Sequence, residues 1–125
     1  MVPTLMDANL KSLNDISAEA KKLASDAQAG TINPDLLKGG TFTITNLGTM
    51  GIESFTPVIN PPQTGILGVN TLETRVKNVN GEMKMYQAMT LSLTFDHRAL
   101  DGAPAARFLQ ELCKNLENFT MLLIK

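Results

Sequence analysis

The chain carries a single histidine, His97, within the string Thr94-Phe-Asp-His-Arg-Ala-Leu-Asp-Gly-Ala-Pro. An imidazole, whose unperturbed pKa is roughly 6.5, exchanges a proton readily near neutral pH, which suits general acid–base work. His97 falls where a strand rich in hydroxyls ends and a turn begins, so a rigid base can present it to a substrate. Asp101 stands four residues on, across that turn, placed to fix the loop or orient the ring. Asp101 also stands where it can cap a helix beginning near Ala103, its carboxylate meeting the positive end of the helix dipole. No second histidine and no cysteine stands at ligand spacing from His97, so the pattern does not point to a metal site. The one cysteine, Cys113, sits in an apolar stripe and reads as packing rather than as a nucleophile.

These residues need elements to hold them. Apolar positions Leu13, Ile16, Ala20, Leu23, Ala24 and Ala27 recur at helical spacing, Ser12 or Asn9 can cap the start, and Gly30 can close the end. The spacing predicts a helix over about 11–29. Pro34 forbids helix at Asn33, and Lys38-Gly39-Gly40 leads into Thr41–Asn46, an alternating segment with Phe42 and Ile44 on one face and Thr41, Thr43 and Thr45 on the other. Leu47-Gly-Thr-Met-Gly breaks that strand. Residues 54–59 read as extended and Asn60-Pro61-Pro62 as a turn. Asn80-Gly81 is a strong hairpin signal, so 64–79 and 82–95 should pair antiparallel, with Gly65 and Gly68 marking bends or close backbone contact. In the second strand Met89, Leu91, Leu93 and Phe95 oppose Thr90, Ser92 and Thr94, and Met83, Met85 and Met89 read as core filling. A last helix should start near Pro104, with a stripe of Ala105, Phe108, Leu109, Leu112, Cys113, Leu116 and Phe119. Helix, strands, hairpin and helix in that order predict an α/β fold, a two-layer sandwich of mixed β-sheet with helices on one side.

At 125 residues the chain suffices for one domain core. Its 11 basic and 12 acidic side chains create no field for a polyanion, which argues against nucleic acid as a partner. The sequence shows no apolar run of the roughly 20 residues that cross a bilayer. A lone cysteine fits a reducing compartment, cytoplasmic or an organelle matrix.

The segment FDHRALDGAPAARFL resembles the His-x-x-x-Asp-Gly signature of dihydrolipoamide acyltransferases and chloramphenicol acetyltransferases. The upstream segment GGTFTITNLGTMGIESFTPVINPPQTGILGV is similar to the same acyltransferases, including the Asn-Leu-Gly and Asn-Pro-Pro-Gln turns. The resemblance implies a chloramphenicol acetyltransferase-like fold, with residues 1–125 as the C-terminal part of an acyltransferase catalytic domain and no lipoyl or peripheral-subunit-binding domain. It implies that His97 is the general base toward a thiol of coenzyme A or dihydrolipoamide, with Thr45 donating to the oxyanion and Asp101 holding the site. Coenzyme A would be a substrate, lipoamide would arrive on a separate lipoyl domain, and no metal would be needed. Family members build each site between two subunits of a trimer, which would draw His97 and Thr45 from different chains. The implied partners are a homotrimer or larger homo-oligomeric core, the lipoyl domain and other components of a 2-oxoacid or acetoin dehydrogenase complex, in bacterial cytoplasm or mitochondrial matrix. An arginine that pairs with the residue matching Asp101 would come from the other half of the domain. The segment 45–69 looks more like the acetyl-transferring pyruvate or acetoin enzymes than the succinyl or branched-chain ones. The alternatives are a noncatalytic trimer-forming assembly module and an acetyltransferase acting on a hydroxyl.

Overall fold

The structure, a computed structural model, describes residues 1–122. They form two compact units, 1–41 and 42 onward. In the first, helix α1 spans Leu13–Ala29. Its start is fixed by Ser12, whose side chain accepts from the Asp15 N–H while the Asp15 carboxylate accepts from the Ser12 N–H. This reciprocal box satisfies two donors that a helix start leaves open. The Ser12 hydrogen bonds also hold the Asp15 carboxyl below its usual range. Gly30, at φ 72°, ends the helix, and the Thr31 N–H reaches back to the Asp26 carbonyl. Of the two candidate caps, Ser12 is the one used.

The second unit is built on a three-stranded sheet in the order β1 (Thr43–Asn46), β2 (Gly65–Val79), β3 (Glu82–Phe95). The β1–β2 pair is parallel and the β2–β3 pair antiparallel, so the sheet is mixed as expected. Asn80 and Gly81, at φ 55° and 89°, make the two-residue hairpin turn. Residues 54–59 form no strand, and Gln63 N–H donates to the Asn60 carbonyl to close the proline turn.

Because paired residues share a face, the register places Thr43, Thr45, Ile66, Gly68, Ser92 and Thr94 on one side of the sheet. The 53–63 segment meets this side. Thr90 Oγ1 donates to the Glu53 carbonyl, Thr43 Oγ1 donates to Gln63 at 2.5 Å, and the Phe55 ring lies against Gly68. A Cβ on Gly68 would stand 2.9 Å from that ring, and one on Gly65 would stand 2.9 Å from Phe42. Both glycines therefore mark close contact. The opposite side carries Leu67, Val69, Leu91, Leu93 and Phe95. Here helix α2 (Gly102–Glu117) contacts β3, and its Phe108 meets Phe42 edge-on at 6.2 Å between ring centroids. Ile66, Leu67 and Ala105 are among the buried apolar residues of this unit, and each of the larger two contributes about 1.5–3 kcal/mol by leaving water. The last helix breaks after Glu117, so Phe119 of the expected stripe falls in a separate turn, α3 (Phe119–Leu122).

One reading fails. Met83, Met85 and Met89 are not core: they are 69%, 79% and 48% exposed. The register slips between Val69 and Leu72, and beyond this bulge the hairpin runs on as a two-stranded arm. Alternation put the methionines on one face, but no element among the described residues lies over it.

The bulge fixes how β1 turns. Leu47 N–H donates to the Val69 carbonyl, Thr71 N–H donates to the Ile52 carbonyl, and Gly48 presses on the backbone of Asn70. A Cβ at Gly48 would stand 2.3 Å from the Asn70 carbonyl oxygen and 2.9 Å from Thr71 N. Backbone atoms cannot rotate aside as a side chain can, so Gly48→Ala should destabilise by about 1–3 kcal/mol. Gly102→Ala is the control, with nothing within 4 Å of the added carbon and a helical position. A lower urea midpoint for the first variant alone is expected; equal midpoints would refute the close approach.

Candidate active site

The site region begins where β3 ends. Asp96 N–H donates to the Thr64 carbonyl at 2.9 Å, which carries the ladder one step past Phe95. The Asp96 carbonyl then accepts from Ala99 and Leu100 N–H, at 2.9 and 3.1 Å, and this turns the chain toward α2. Asp101 is the residue at the head of α2, its carbonyl accepting from Ala105 N–H. The helix starts one residue before the expected Ala103. The Asp101 carboxylate makes no capping hydrogen bond. It faces His97 instead, with Oδ1 3.6 Å from Nδ1. That distance is beyond a hydrogen bond, and the side chains are 83% and 73% exposed, so solvent weakens the attraction between them.

His97 lies beside Phe95, with ring centroids 5.7 Å apart and planes tilted by 40°. The structure thus brings two of the three expected residues together. Thr45 is elsewhere. It is level with Gly68, and Gly68 with Ser92, so Thr45 lies two strands across from Ser92. His97 is five residues beyond Ser92. At about 3.3 Å per residue and 4.8 Å per strand, Thr45 and His97 stand roughly 15–20 Å apart within one chain. A base and an oxyanion donor must each come within about 3 Å of the reacting centre. One chain cannot supply both to the same centre.

Two features escaped the sequence reading. The first is the pairing of Asp96 with Arg98. The Asp96 carboxylate accepts from the Arg98 backbone N–H at 2.9 Å, from Nε at 3.0 and 3.2 Å, and from Nη2 at 2.7 Å. The Arg98 hydrogen bonds hold the Asp96 carboxyl down at about 2 from its ordinary 3.8, and the Arg98 guanidinium is pushed up in turn. A carboxyl lowered by folding contributes stability above its ordinary pKa and loses it as pH falls through the lowered value. The pair is therefore intact across the neutral range and dissolves only near pH 2. An Asp two residues before a residue with a free N–H is a turn signature that could have disclosed it.

The second is Asn70, 3% exposed, whose Nδ2 donates to Thr90 Oγ1 at 2.8 Å and Ser92 Oγ at 3.1 Å. The hydroxyl row on β3 was legible; its amide partner was not. Cys113 is half-buried in α2, and among the described residues no group of three His, Cys, Asp or Glu side chains could hold a metal ion.

Residues 1–124 match the family of 2-oxoacid dehydrogenases acyltransferase (catalytic domain). The chain belongs to this family. Among curated acyltransferase relatives, it is 42% identical to the mitochondrial dihydrolipoyllysine-residue acetyltransferase component of the Dictyostelium discoideum pyruvate dehydrogenase complex, over 98% of this chain and 20% of that protein. It is 39% identical to the dihydrolipoyllysine-residue succinyltransferase component of the Escherichia coli (strain K12) 2-oxoglutarate dehydrogenase complex, over 99% and 31%. The chain thus spans about a fifth to a third of these relatives. The solved Azotobacter vinelandii dihydrolipoamide acetyltransferase overlays it with a TM-score of 0.91 at 35% identity, over 97% of this chain and 50% of that one. In that enzyme a serine, a histidine and an asparagine have been investigated for roles in catalysis; they are spaced by 52 and then four residues. The acyltransferase fold is accordingly present here as a partial, chloramphenicol acetyltransferase-like domain, its mixed sheet and helices matching those of the catalytic core.

Proposed function

We propose that this chain is the His-bearing part of an acyltransferase that moves an acetyl group between dihydrolipoamide and coenzyme A. The observation that carries the reading is a family match over 1–124 whose His97 stands exposed at the end of a rigid strand with Asp101 before Nδ1. Thr45 and His97 are 52 residues apart and His97 and Asp101 four, the spacings of the serine, histidine and asparagine investigated in the Azotobacter enzyme. Here threonine and aspartate stand in the serine and asparagine places. Threonine keeps the hydroxyl donor. Aspartate keeps the oxygen facing the imidazole.

In the reaction, Nε2 of His97 takes the proton from the thiol of one substrate. The thiolate adds to the carbonyl carbon of the acyl thioester, and the carbonyl oxygen takes up negative charge. Thr45 Oγ1, contributed by a second copy, donates to that oxygen, a role in keeping with its separation from His97 within one chain. When the carbonyl re-forms, the second thiolate leaves and recovers the proton from the imidazolium. Substrates are coenzyme A and lipoamide carried on a lipoyl domain, and no step calls for a metal.

Assembly into a homotrimer or larger core is in keeping with the same separation, which calls for at least a second copy. It is also supported by the uncovered face of the hairpin arm, where Leu72, Val76, Met83, Met85 and Met89 line up. The setting we propose is bacterial cytoplasm or mitochondrial matrix, within a 2-oxoacid or acetoin dehydrogenase complex, with this chain as the C-terminal part of the catalytic domain. No helix among the described residues is long and apolar enough to cross a membrane.

The test is acyl transfer to dihydrolipoamide by the purified chain, alone and mixed with the preceding portion of a relative's catalytic domain, with acetyl-CoA and succinyl-CoA as donors. Faster transfer of acetyl is expected. Preference for succinyl would correct the acyl group, and silence from folded, complemented protein would favour the noncatalytic assembly module.

A further inference from the structure

We infer that Asp96 and Arg98 are the positioning residues that set the His97 loop for catalysis, the part that the His-x-x-x-Asp spacing assigns to Asp101. The inference rests on the acyltransferase reading. Within this chain His97 is mostly exposed, with Phe95 beside its ring, and the 3.6 Å gap to Asp101 leaves no hydrogen bond between the two side chains to orient it. What is fixed is the backbone on either side. Asp96 is tied to Thr64 through its N–H and to Ala99 and Leu100 through its carbonyl. Its carboxylate then reaches over His97 to the Arg98 N–H, closing a ring that contains the His97 peptide units. Such a ring restricts the two backbone torsions of His97 and so the direction in which its Cβ points. The guanidinium completes the clamp. Three further hydrogen bonds from Arg98 engage both carboxylate oxygens, including the Oδ1 that accepts the backbone bond. The Arg98 side chain is 90% exposed, and its contacts to Asp96 are what give it an ordered place.

The clamp has two arms, which substitutions separate. Asp96→Ala removes both. Asp96→Asn keeps an acceptor for the Arg98 N–H and weakens the guanidinium arm; Arg98→Ala removes the guanidinium arm alone. A reacting group misplaced by about 1 Å can cost about 10²-fold in rate. Asp96→Ala should therefore lower kcat by about ten- to hundred-fold with KM little changed, Arg98→Ala should lower it by a smaller factor, and Asp96→Asn should keep most of the wild-type kcat. Because the chain has one histidine, its NMR signals are unambiguous. The nuclear Overhauser contact between the Phe95 and His97 rings should fade in Asp96→Ala and return in Asp96→Asn, with far-UV circular dichroism showing that each variant is folded.

Loss of that contact in Asp96→Ala with its return in Asp96→Asn, together with the kcat pattern, supports the clamp. A folded Asp96→Ala that keeps wild-type kcat and the ring contact overturns it, as does a fall in KM-limited rate alone. If the wild-type chain, complemented by the preceding portion of a relative's catalytic domain, transfers no acyl group yet the ring contact responds as described, the acyltransferase reading fails while the clamp on His97 stands.

Discussion

His97→Ala is expected to lower acyl transfer by about 10²–10⁴-fold, the usual contribution of a positioned general acid or base. The loss should appear in kcat and kcat/KM together, because the imidazole takes the proton as the thiol attacks rather than when it binds. Stability should scarcely move. The side chain is 73% exposed, its ring neighbour among the described residues is Phe95, and substitutions at such surface positions usually change stability by about 0.5 kcal/mol or less. Activity and stability are thus predicted to separate, which they would not if His97 were a packing residue. The measurement is steady-state transfer from acetyl-CoA to dihydrolipoamide beside a urea titration of the same variant. A variant with full rate would remove His97 from the chemistry. One that lost rate and stability in proportion would make it structural.

The placement of His97 was legible because its determinants are local. Alternation along β3 fixed where the strand ends, and Asn80-Gly81 fixed the register with β2 through a turn that few other residue pairs adopt. Ser12 and Gly30 bounded α1 for the same reason, since each acts on backbone groups within a few residues of itself. What depended on distant neighbours was less legible. Met83, Met85 and Met89 alternate as core residues do, but alternation assigns residues to a face and does not say whether anything covers it. Asn70 carries no sign in the sequence that it is buried, because its hydroxyl partners arrive from a strand 20 and more residues away. Asp101 shows a mixed outcome. Its position at the head of α2 was readable, whereas the side chain turns from the helix N–H groups toward the imidazole. Thr45 could be singled out only by resemblance, since an isolated strand threonine has many ordinary reasons to exist.

The separation of Thr45 from His97 leads to the second large effect. Thr45→Ala alone should cost about 10²–10³-fold, as loss of one oxyanion donor does. Its side chain is half-buried on the hydroxyl face of β1, so truncation removes a donor and a methyl group without opening a core cavity. His97→Ala and Thr45→Ala proteins would then each be nearly inactive, yet they are defective in different halves of one site. If a site takes its histidine from one copy and its threonine from the next, dissociating the two variants together and letting them reassociate rebuilds intact sites. In a closed ring with random mixing at equal ratio, a given site draws a His97-bearing copy and a Thr45-bearing copy in about one case in four, so roughly a quarter of wild-type activity should return. The double variant mixed with wild type is the control. It likewise leaves about a quarter of sites intact, here from a starting half of fully active chains. A mixture that stays silent while size measurements show mixed oligomers would place both residues in sites within single chains, against the roughly 15–20 Å that the sheet puts between them. Recovery requires the two residues to meet across chains, and the sheet geometry explains why: β1 holds Thr45 level with Ser92 and two strands away, while β3 carries the chain on past Phe95 before it reaches His97.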